Sequence, residues 1–247
     1  MKPTLLAGLM ACAVGACAST AGRPAAHTGT ASHGERRADD SAGVQADSGC
    51  LRFLEESHVA FRFAPQAGLI RTPVEPLGPV AGVRLVPRVG RAPVMDCELL
   101  RALVEAGPVF ADAGITELQF SGAYDYRTRR GSAKLSAHAY GLAIDAHAFR
   151  GPAGTLDVTH DFEAGAGTWV GLVPREGEID ACIGQPTTDA GRRLRTLVCR
   201  LKHHSAFRVI VTPDDNADHR DHLHLEAFVD SKTRVARVLG SRVLPDE

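Results

Sequence analysis

Apolar and polar side chains alternate along residues 142–147, directly after Gly141. The apolar positions would face a core, because side chains two residues apart share one face of a β-strand. Asp145 and His147 then lie together on the opposite face. His138 comes shortly before this strand, and Gly141 would let the chain bend so that the His138 imidazole reaches the same point.

A second alternating segment lies near the end of the chain, within the sequence Asp-His-Leu-His-Leu-Glu that begins at Asp221. Its two leucines would pack inward, whereas His222, His224 and Glu226 share the other face. If the two strands are neighbours, Asp145 and His224 converge. The sequence therefore predicts a sheet with one buried face and a cluster of imidazole and carboxyl groups on the other.

Helical periodicity predicts two helices. The first would begin at an Asp96 cap and end at Gly107-Pro108, with three leucines and Val104 on its apolar face. The second places Leu194, Leu197, Val198 and Leu201 on one face. Its arginines are predicted to form a solvent-exposed face; they are Arg192, Arg193, Arg195 and Arg200.

Further strands are predicted at residues 117–122, 168–173 and 208–212. Repeated Pro and Gly at residues 64–95 predict turns and short irregular strands. The elements mix without βαβ regularity, and the sequence has no internal repeat. These features favour an α+β fold in which a small antiparallel β-sheet carries the polar cluster and helices flank it.

The beginning of the chain has the composition of an export signal. Lys2 is followed by an uncharged apolar run at residues 5–16, which is too short to span a bilayer. The small residues before Cys17 resemble a bacterial lipoprotein cleavage site. Residues 1–17 are therefore predicted to be a lipoprotein-type signal peptide with Cys17 as the lipidated residue, the alternatives being cleavage at Cys12 or an ordinary secretory signal.

Residues 18–48 are rich in Ala, Gly, Ser, Thr and Asp and contain few large apolar side chains. Such a segment cannot bury enough surface to offset the entropy lost on ordering. It is predicted to be a flexible linker that tethers a folded domain, residues 49–247, away from a membrane. The expected location is the cell envelope or periplasm, with the membrane contacted through the N-terminal lipid anchor.

Cysteine use is also typical of an exported protein. Apart from Cys12 and Cys17, the chain has four cysteines, an even number that suits an oxidising compartment. Four cysteines allow three pairings, of which we favour Cys50–Cys97 and Cys182–Cys199. A cysteine-rich metal site is disfavoured because the sequence has no CxxC pair.

Overall composition excludes one broad class of partner. The formal net charge is −1, which lacks the basic footprint of nucleic-acid-binding proteins, so no nucleic-acid partner is expected. Charged residues make up 23% of the chain and hydrophobic residues 44%, as in ordinary soluble globular proteins. The oligomeric state does not follow from the sequence.

Together, the two alternating segments offer a metal site. His138, Asp145 and His224 provide two imidazoles and one carboxylate, and three such ligands with an open fourth position are usual for catalytic zinc. Each pattern alone is weak. Their conjunction, with apolar alternation around both, favours a metal site over coincidence and predicts a zinc hydrolase.

The motifs also resemble a known family. Ser136-x-His138-x-x-Gly141-x-Ala143-x-Asp145 and Asp221-His222-x-His224 are similar to the zinc peptidase superfamily of D-alanyl-D-alanine peptidases, phage endolysins, lysostaphin-type enzymes and the hedgehog domain. Within it, the chain most resembles the bacterial extensin-like C-terminal domain family, over about residues 50–230. Supporting features are the early Cys50, the arginines of residues 127–130, and Thr212-Pro213 before the second motif.

The resemblance implies zinc ligands His138, Asp145 and His224. It implies a general base close to the metal, for which Asp221 is favoured, with His222 polarising the substrate carbonyl. Two alternatives remain open: Asp221 orients a histidine instead, or His222 is the active-site base. Arg127 would grip a substrate carboxylate or the transition-state oxygen, and Ser136 would bind substrate or cap its own loop.

The implied function is a cell-envelope zinc metallopeptidase that cleaves peptide bonds at D-amino acids in peptidoglycan peptides. Whether it is a carboxypeptidase or an endopeptidase does not follow from the motifs. A non-catalytic, zinc-containing wall-binding lipoprotein is the alternative from another class, and a metal-free structural protein stapled by disulfides is a third.

Overall fold

A computed structural model describes residues 47–90, 93–166 and 182–229. The predicted signal peptide with Cys17, nearly all of the predicted linker, and the predicted strand at residues 168–173 lie outside the described residues. Five α-helices are described: α1 (Ser48–Glu56), α2 (Cys97–Glu105), α3 (Gly107–Asp112), α4 (Val158–Asp161) and α5 (Asp189–His204). Two 3-10 helices, η1 (Ala137–Tyr140) and η2 (Ala217–His219), complete the helical elements described.

The described strands form two sheets, and the fold is α+β as predicted. They are β1 (Phe61–Phe63), β2 (Pro73–Pro76), β3 (Arg84–Pro87), β4 (Met95–Asp96), β5 (Glu117–Phe120), β6 (Ala143–Gly151), β7 (Gly154–Asp157), β8 (Val209–Val211) and β9 (Leu223–Glu226). The smaller sheet has the order β1-β2-β4. The larger has the order β3-β5-β6-β9-β8, with β7 also paired to β6.

The larger sheet is mixed rather than purely antiparallel, which corrects one part of the prediction. β3 runs parallel to β5, whereas the other pairs in this sheet are antiparallel. The parallel strand comes from the segment rich in Pro and Gly, where no alternation marks a strand direction. β6 is central, and its residues 143–149 are all buried because the strand is covered on both faces.

Helix α2 begins at the predicted cap and ends before Gly107-Pro108, as predicted. The Asp96 carboxylate caps it by accepting from the Glu98 N–H at 3.0 Å, which satisfies a free backbone donor of the first turn. Gly107-Pro108 does not lead into a loop but starts α3, where proline in the first turn lacks only an N–H that has no helical partner. The leucines of α2 enter the same core as β5, β6 and β9.

Arg195 corrects the prediction of a solvent-exposed arginine face on α5. Only 2% of Arg195 is exposed. Its guanidinium forms an ion pair with Asp214 at 2.8 Å and lies 4.9 Å from the centre of the Phe162 ring. Arg195 therefore fixes α5 to the segment that follows β8, while Arg192 and Arg200 remain exposed as expected.

Both favoured disulfides are present. Cys50–Cys97 joins α1 to the start of α2, and Cys182–Cys199 joins α5 to the segment before it. Two disulfides indicate folding in an oxidising environment. Within the described ranges, none of the helices combines the length and the apolar character needed to cross a bilayer.

Candidate metal centre

The pairing of β6 with β9 creates the core of the site. These strands are antiparallel, and their register places Asp145 directly opposite His224. Opposite residues on neighbouring strands point to the same face and have closely spaced Cβ atoms. The alternation in the two sequence segments therefore predicted that Asp145 and His224 lie on polar strand faces, and the register of β6 with β9 brings the two side chains into contact.

His138 reaches the same point from η1. The Ser136 hydroxyl caps this short helix by accepting from the His138 N–H at 3.4 Å. Gly141 ends it with a φ of 65°, a left-handed conformation that favours glycine. A Cβ at Gly141 would also lie 2.8 Å from the Asp96 backbone nitrogen, so the sharp turn into β6 requires glycine.

Three potential ligand atoms meet in this metal centre, which we define as His138, Asp145 and His224. His138 Nε2 lies 3.1 Å from Asp145 Oδ1 and 3.1 Å from His224 Nδ1, and His224 Nδ1 lies 3.0 Å from Asp145 Oδ1. His138 and Asp145 are buried, and 11% of the His224 side chain is exposed. This compact triangle of two imidazole nitrogens and one carboxylate oxygen can hold a metal ion.

Protonation states favour the same interpretation. Burial raises the pKa of Asp145, but hydrogen bonds from His138 and His224 outweigh it and hold that pKa well below its usual range. Burial lowers the pKa of His224. At neutral pH the site therefore offers a carboxylate and a neutral His224 imidazole, the forms in which these groups bind metals.

Outer contacts orient one of the histidines. His224 Nε2 lies 3.6 Å from Glu226 Oε2, on the side of the ring away from the metal centre. Glu226 in turn pairs with Arg208. Metal-binding histidines commonly have a carboxylate on their second ring nitrogen. The sequence placed Glu226 on this face, but no role for it followed from the motif.

A second group of potential ligands lies beside the metal centre and consists of His147, Asp221 and His222. His222 Nδ1 is 2.9 Å from Asp221 Oδ1, and His222 Nε2 is 3.6 Å from Asp145 Oδ1. The His222 hydrogen bond lowers the pKa of Asp221. His222 therefore links the Asp221 carboxylate to the metal centre.

His219 is closer to the site than the sequence indicated. Its ring centre lies 4.9 Å from that of His222 and 5.8 Å from that of His224. Its Nδ1 contacts Asn216 Oδ1 at 2.6 Å, and burial lowers its pKa. The sequence motifs assign no role to His219, because its place on η2 depends on the turn between β8 and β9.

A cleft of about 480 Å³ opens at the metal centre. Its lining includes Arg127, Arg129 and Arg130, together with His219, His222, the valines of β8 and the acidic Asp218 and Glu226. The arginines supply positive charge that can attract an anionic ligand. Ser136, which is buried and caps η1, also lines this cleft.

The three arginines of the cleft differ in their carboxylate partners. Arg127 forms an ion pair with Asp125 at 2.9 Å, and its Nη2 lies 3.8 Å from Asp145 Oδ2. Arg129 Nη2 is 4.0 Å from Glu226 Oε2. Arg130 pairs with Asp218. Arg127 is therefore the cleft arginine that lies beside the metal-centre carboxylate.

Comparison of the chain with protein-family models, curated proteins and solved structures finds no match. The assignment of the metal centre therefore rests on its own side chains, which β6, β9 and η1 bring together beside the cleft.

Proposed function

We propose that this protein is an exported zinc metallopeptidase that hydrolyses peptide bonds at D-amino acids in peptidoglycan peptides. The motif resemblance to the extensin-like family, within the superfamily of D-alanyl-D-alanine peptidases and lysostaphin-type enzymes, supports this reaction. The two disulfides support export. A lipid anchor at Cys17 would hold the domain at a membrane of the cell envelope.

The observation that carries the proposal is the triangle of ligand atoms at the cleft. Ligands about 2.0–2.1 Å from a tetrahedral zinc ion lie about 3.3–3.4 Å from one another. The three observed separations are 3.0–3.1 Å, so a small adjustment would suit zinc. Two imidazoles and one carboxylate on an accessible cleft leave a coordination position free for chemistry.

Bound zinc would supply an activated water and would polarise the scissile carbonyl. The chain itself must then remove a proton from the nucleophile and deliver one to the departing amine. Asp221 and His222 lie beside the metal centre without being its ligands, and they are hydrogen-bonded to each other. We assign this task to them as a pair.

The hydrogen bond within this pair bears on the roles that the sequence left open. Asp221 Oδ1 accepts from His222 Nδ1, which turns His222 Nε2 toward Asp145. A carboxylate on Nδ1 fixes the tautomer in which Nε2 is free to accept a proton. This arrangement favours His222 as the base and Asp221 as its orienting carboxylate, in preference to direct proton transfer to Asp221.

Arg127 is proposed to bind the substrate. Its guanidinium faces the cleft next to Asp145, and 46% of its side chain is exposed. A planar guanidinium suits bidentate contact with a carboxylate, such as the end of a peptide or an acidic side chain. Ser136 supports the site by capping the helix that carries His138.

The direct test is to incubate the zinc-loaded protein with purified muropeptides and to analyse the products by mass spectrometry. We expect loss of a terminal D-amino acid or opening of a cross-link. Asp145→Ala should abolish both. Intact muropeptides with a fully zinc-loaded protein would overturn the peptidase assignment, and retained binding to cell-wall sacculi would then favour the non-catalytic module.

A further inference from the structure

His147 is a buried imidazole that the proposed reaction does not use. It lies two residues beyond Asp145 on β6, and only 6% of it is exposed. Its Nδ1 lies 2.7 Å from the Asp221 carbonyl oxygen and 4.0 Å from Asp221 Oδ2. Its Nε2 is buried and has no hydrogen-bond partner within the described residues.

Two contacts of Nδ1 and the burial of Nε2 together decide which nitrogen of this ring carries the proton. A carbonyl oxygen only accepts, so the 2.7 Å contact is a hydrogen bond only with the proton on Nδ1. The Arg88 guanidinium, whose Nη1 lies 2.9 Å from the same nitrogen, could donate to it only in the other tautomer, which would leave an N–H on the buried Nε2 without an acceptor among the described residues. His147 therefore donates from β6 to the backbone of the residue that precedes His222. This bond ties the turn before β9 to the central strand of the sheet.

Asp221 needs such an anchor. Its side chain is 45% exposed, and η2 just before it consists of residues that are not buried. The orientation of an exposed carboxylate costs side-chain entropy unless its backbone is held. Holding the Asp221 carbonyl restricts where the carboxylate can point, and the carboxylate in turn orients His222.

A second metal ion is the alternative use of His147, Asp221 and His222. Arg88 decides between the two uses. Its backbone is fixed by the Phe120 carbonyl at 2.7 Å, and its Nη1 lies 2.9 Å from His147 Nδ1. A permanent positive charge at this distance opposes a bound cation. The spread of up to 4.0 Å between Asp221 and His147 atoms also suits an ion less well than the metal centre does.

We propose that His147 is a positioning residue: its Nδ1–H anchors the Asp221 backbone so that Asp221 holds His222 in line with the metal centre. The effect of this anchor on catalysis rests on the proposed function. The structural content of the inference, the tautomer and the fixed orientation of His222, holds whatever the substrate is.

Two near-isosteric variants test the anchor. In His147→Asn the amide nitrogen replaces Nδ1 and can still donate to the Asp221 carbonyl, whereas in His147→Gln the amide lies near the former Nε2. We expect His147→Gln to lower kcat about 10–100-fold with KM changed less than about twofold and zinc content unchanged, as for other outer partners of metal sites. His147→Asn should recover most of the loss. The matched control is His160→Asn, on the exposed face of α4.

A spectroscopic readout separates this inference from the reaction. In protein labelled with ¹⁵N-histidine, long-range ¹H–¹⁵N spectra should show the proton of His147 on Nδ1 in the wild type. The His222 signals should keep the Nδ1–H tautomer in His147→Asn and shift toward a tautomer mixture in His147→Gln. If the wild-type protein shows this tautomer pattern but no activity, the peptidase assignment is wrong and the role of His147 in anchoring Asp221 is retained.

Three results would overturn the inference. The first is a wild-type His147 ring protonated on Nε2, which needs no variant to fold. The second is equal activity and equal His222 spectra in the Asn and Gln variants. The third is a stoichiometry of two zinc ions per chain that falls to one in both His147 variants, which would make the second group a metal site.

Discussion

Two groups of histidine and aspartate lie side by side on β6 and β9, and they differ in spacing and in surrounding charge. In the metal centre, all three ligand-atom separations are 3.0–3.1 Å. In the second group, separations run from 2.9 to 4.0 Å, and the Arg88 guanidinium lies against His147. The same residue types therefore suit an ion in one place and a hydrogen-bonded chain in the other. The metal centre has even spacing, and Arg127 stays 3.8 Å from Asp145, whereas Arg88 is within hydrogen-bond distance of the His147 ring in the second group.

The largest expected effect is the loss of metal from Asp145→Ala. This change removes one of three ligands and leaves His138 and His224 facing each other, so the fall in zinc affinity should exceed the roughly 10–100-fold typical of outer partners. Metal analysis after gel filtration measures it, with exposed Asp112→Ala as the matched control. A full complement of zinc in Asp145→Ala would break the distinction between the two groups.

Asp221→Ala is expected to show the opposite behaviour. The variant should keep its zinc, because Asp221 is not a ligand of the metal centre. Its kcat should fall by up to about 10²–10⁴-fold, the usual contribution of a positioned base, because His222 loses the carboxylate that orients it. Steady-state kinetics on a defined muropeptide, together with zinc analysis of the same sample, separates the two quantities. Unchanged turnover would remove Asp221 from the reaction.

Glu226→Gln should have a smaller effect on the metal centre itself. Glu226 lies on the outer side of His224, and the amide keeps its shape while losing its charge. We expect zinc affinity to fall about 10-fold, at the lower end for outer carboxylates. A competition titration with a chromophoric chelator gives the affinity, and exposed Glu55→Gln on α1 serves as the reference. An affinity equal to that of the reference would show that Glu226 does not support His224.

Glu98 shows how burial changes the pKa of a carboxyl group that has no imidazole bonded to it within the described ranges. It is buried on α2, its Oε1 has no partner within the described residues, and burial raises its pKa from 4.5 to about 7. The folded chain therefore keeps this proton to higher pH than the unfolded chain, so stability falls as pH rises from about 4.5 to about 7. Asp145 shows the opposite direction because two imidazoles hydrogen-bond to it.

Glu98→Gln should remove this loss of stability. Relative to wild type, the variant should gain about 1–2 kcal/mol in the free energy of unfolding between pH 5 and pH 8, less than the full shift because solvent and nearby arginines screen part of it. Urea unfolding at the two pH values measures the difference. An identical pH dependence in both proteins would show that Glu98 is ionised throughout this range.

Much of the site could be predicted because its histidine and aspartate residues lie within short, recognisable sequence patterns. Alternation placed Asp145 and His224 on polar strand faces, and glycine at position 141 marked the turn that returns His138 to the same point. The pairing of β6 with β9, which brings Asp145 opposite His224, could not be predicted, since no local signal fixes which strands pair. The motif resemblance identified the three candidate ligand residues, and the structure shows that their side chains are in contact.

The rest depended on contacts between distant segments. Arg195 has the spacing of an exposed helix face, yet Asp214 and Phe162 enclose it, and periodicity cannot report such partners. Arg88 and His147 meet only because β3 runs beside β5 and β5 beside β6. Gly107-Pro108 follows the end of α2 as predicted, but that the same dipeptide also begins α3 depends on the core against which α3 packs.

The most direct test of the metal centre is X-ray absorption at the zinc edge of the loaded protein. The proposed zinc site predicts one zinc per chain with two imidazole nitrogens and at least one oxygen at about 2.0–2.1 Å. In Asp145→Ala, we expect the signals of these nitrogen and oxygen ligands to be lost from the spectrum. A spectrum with no imidazole scattering, or with thiolate sulfur in the first shell, would contradict the assignment of His138, Asp145 and His224 as the ligands.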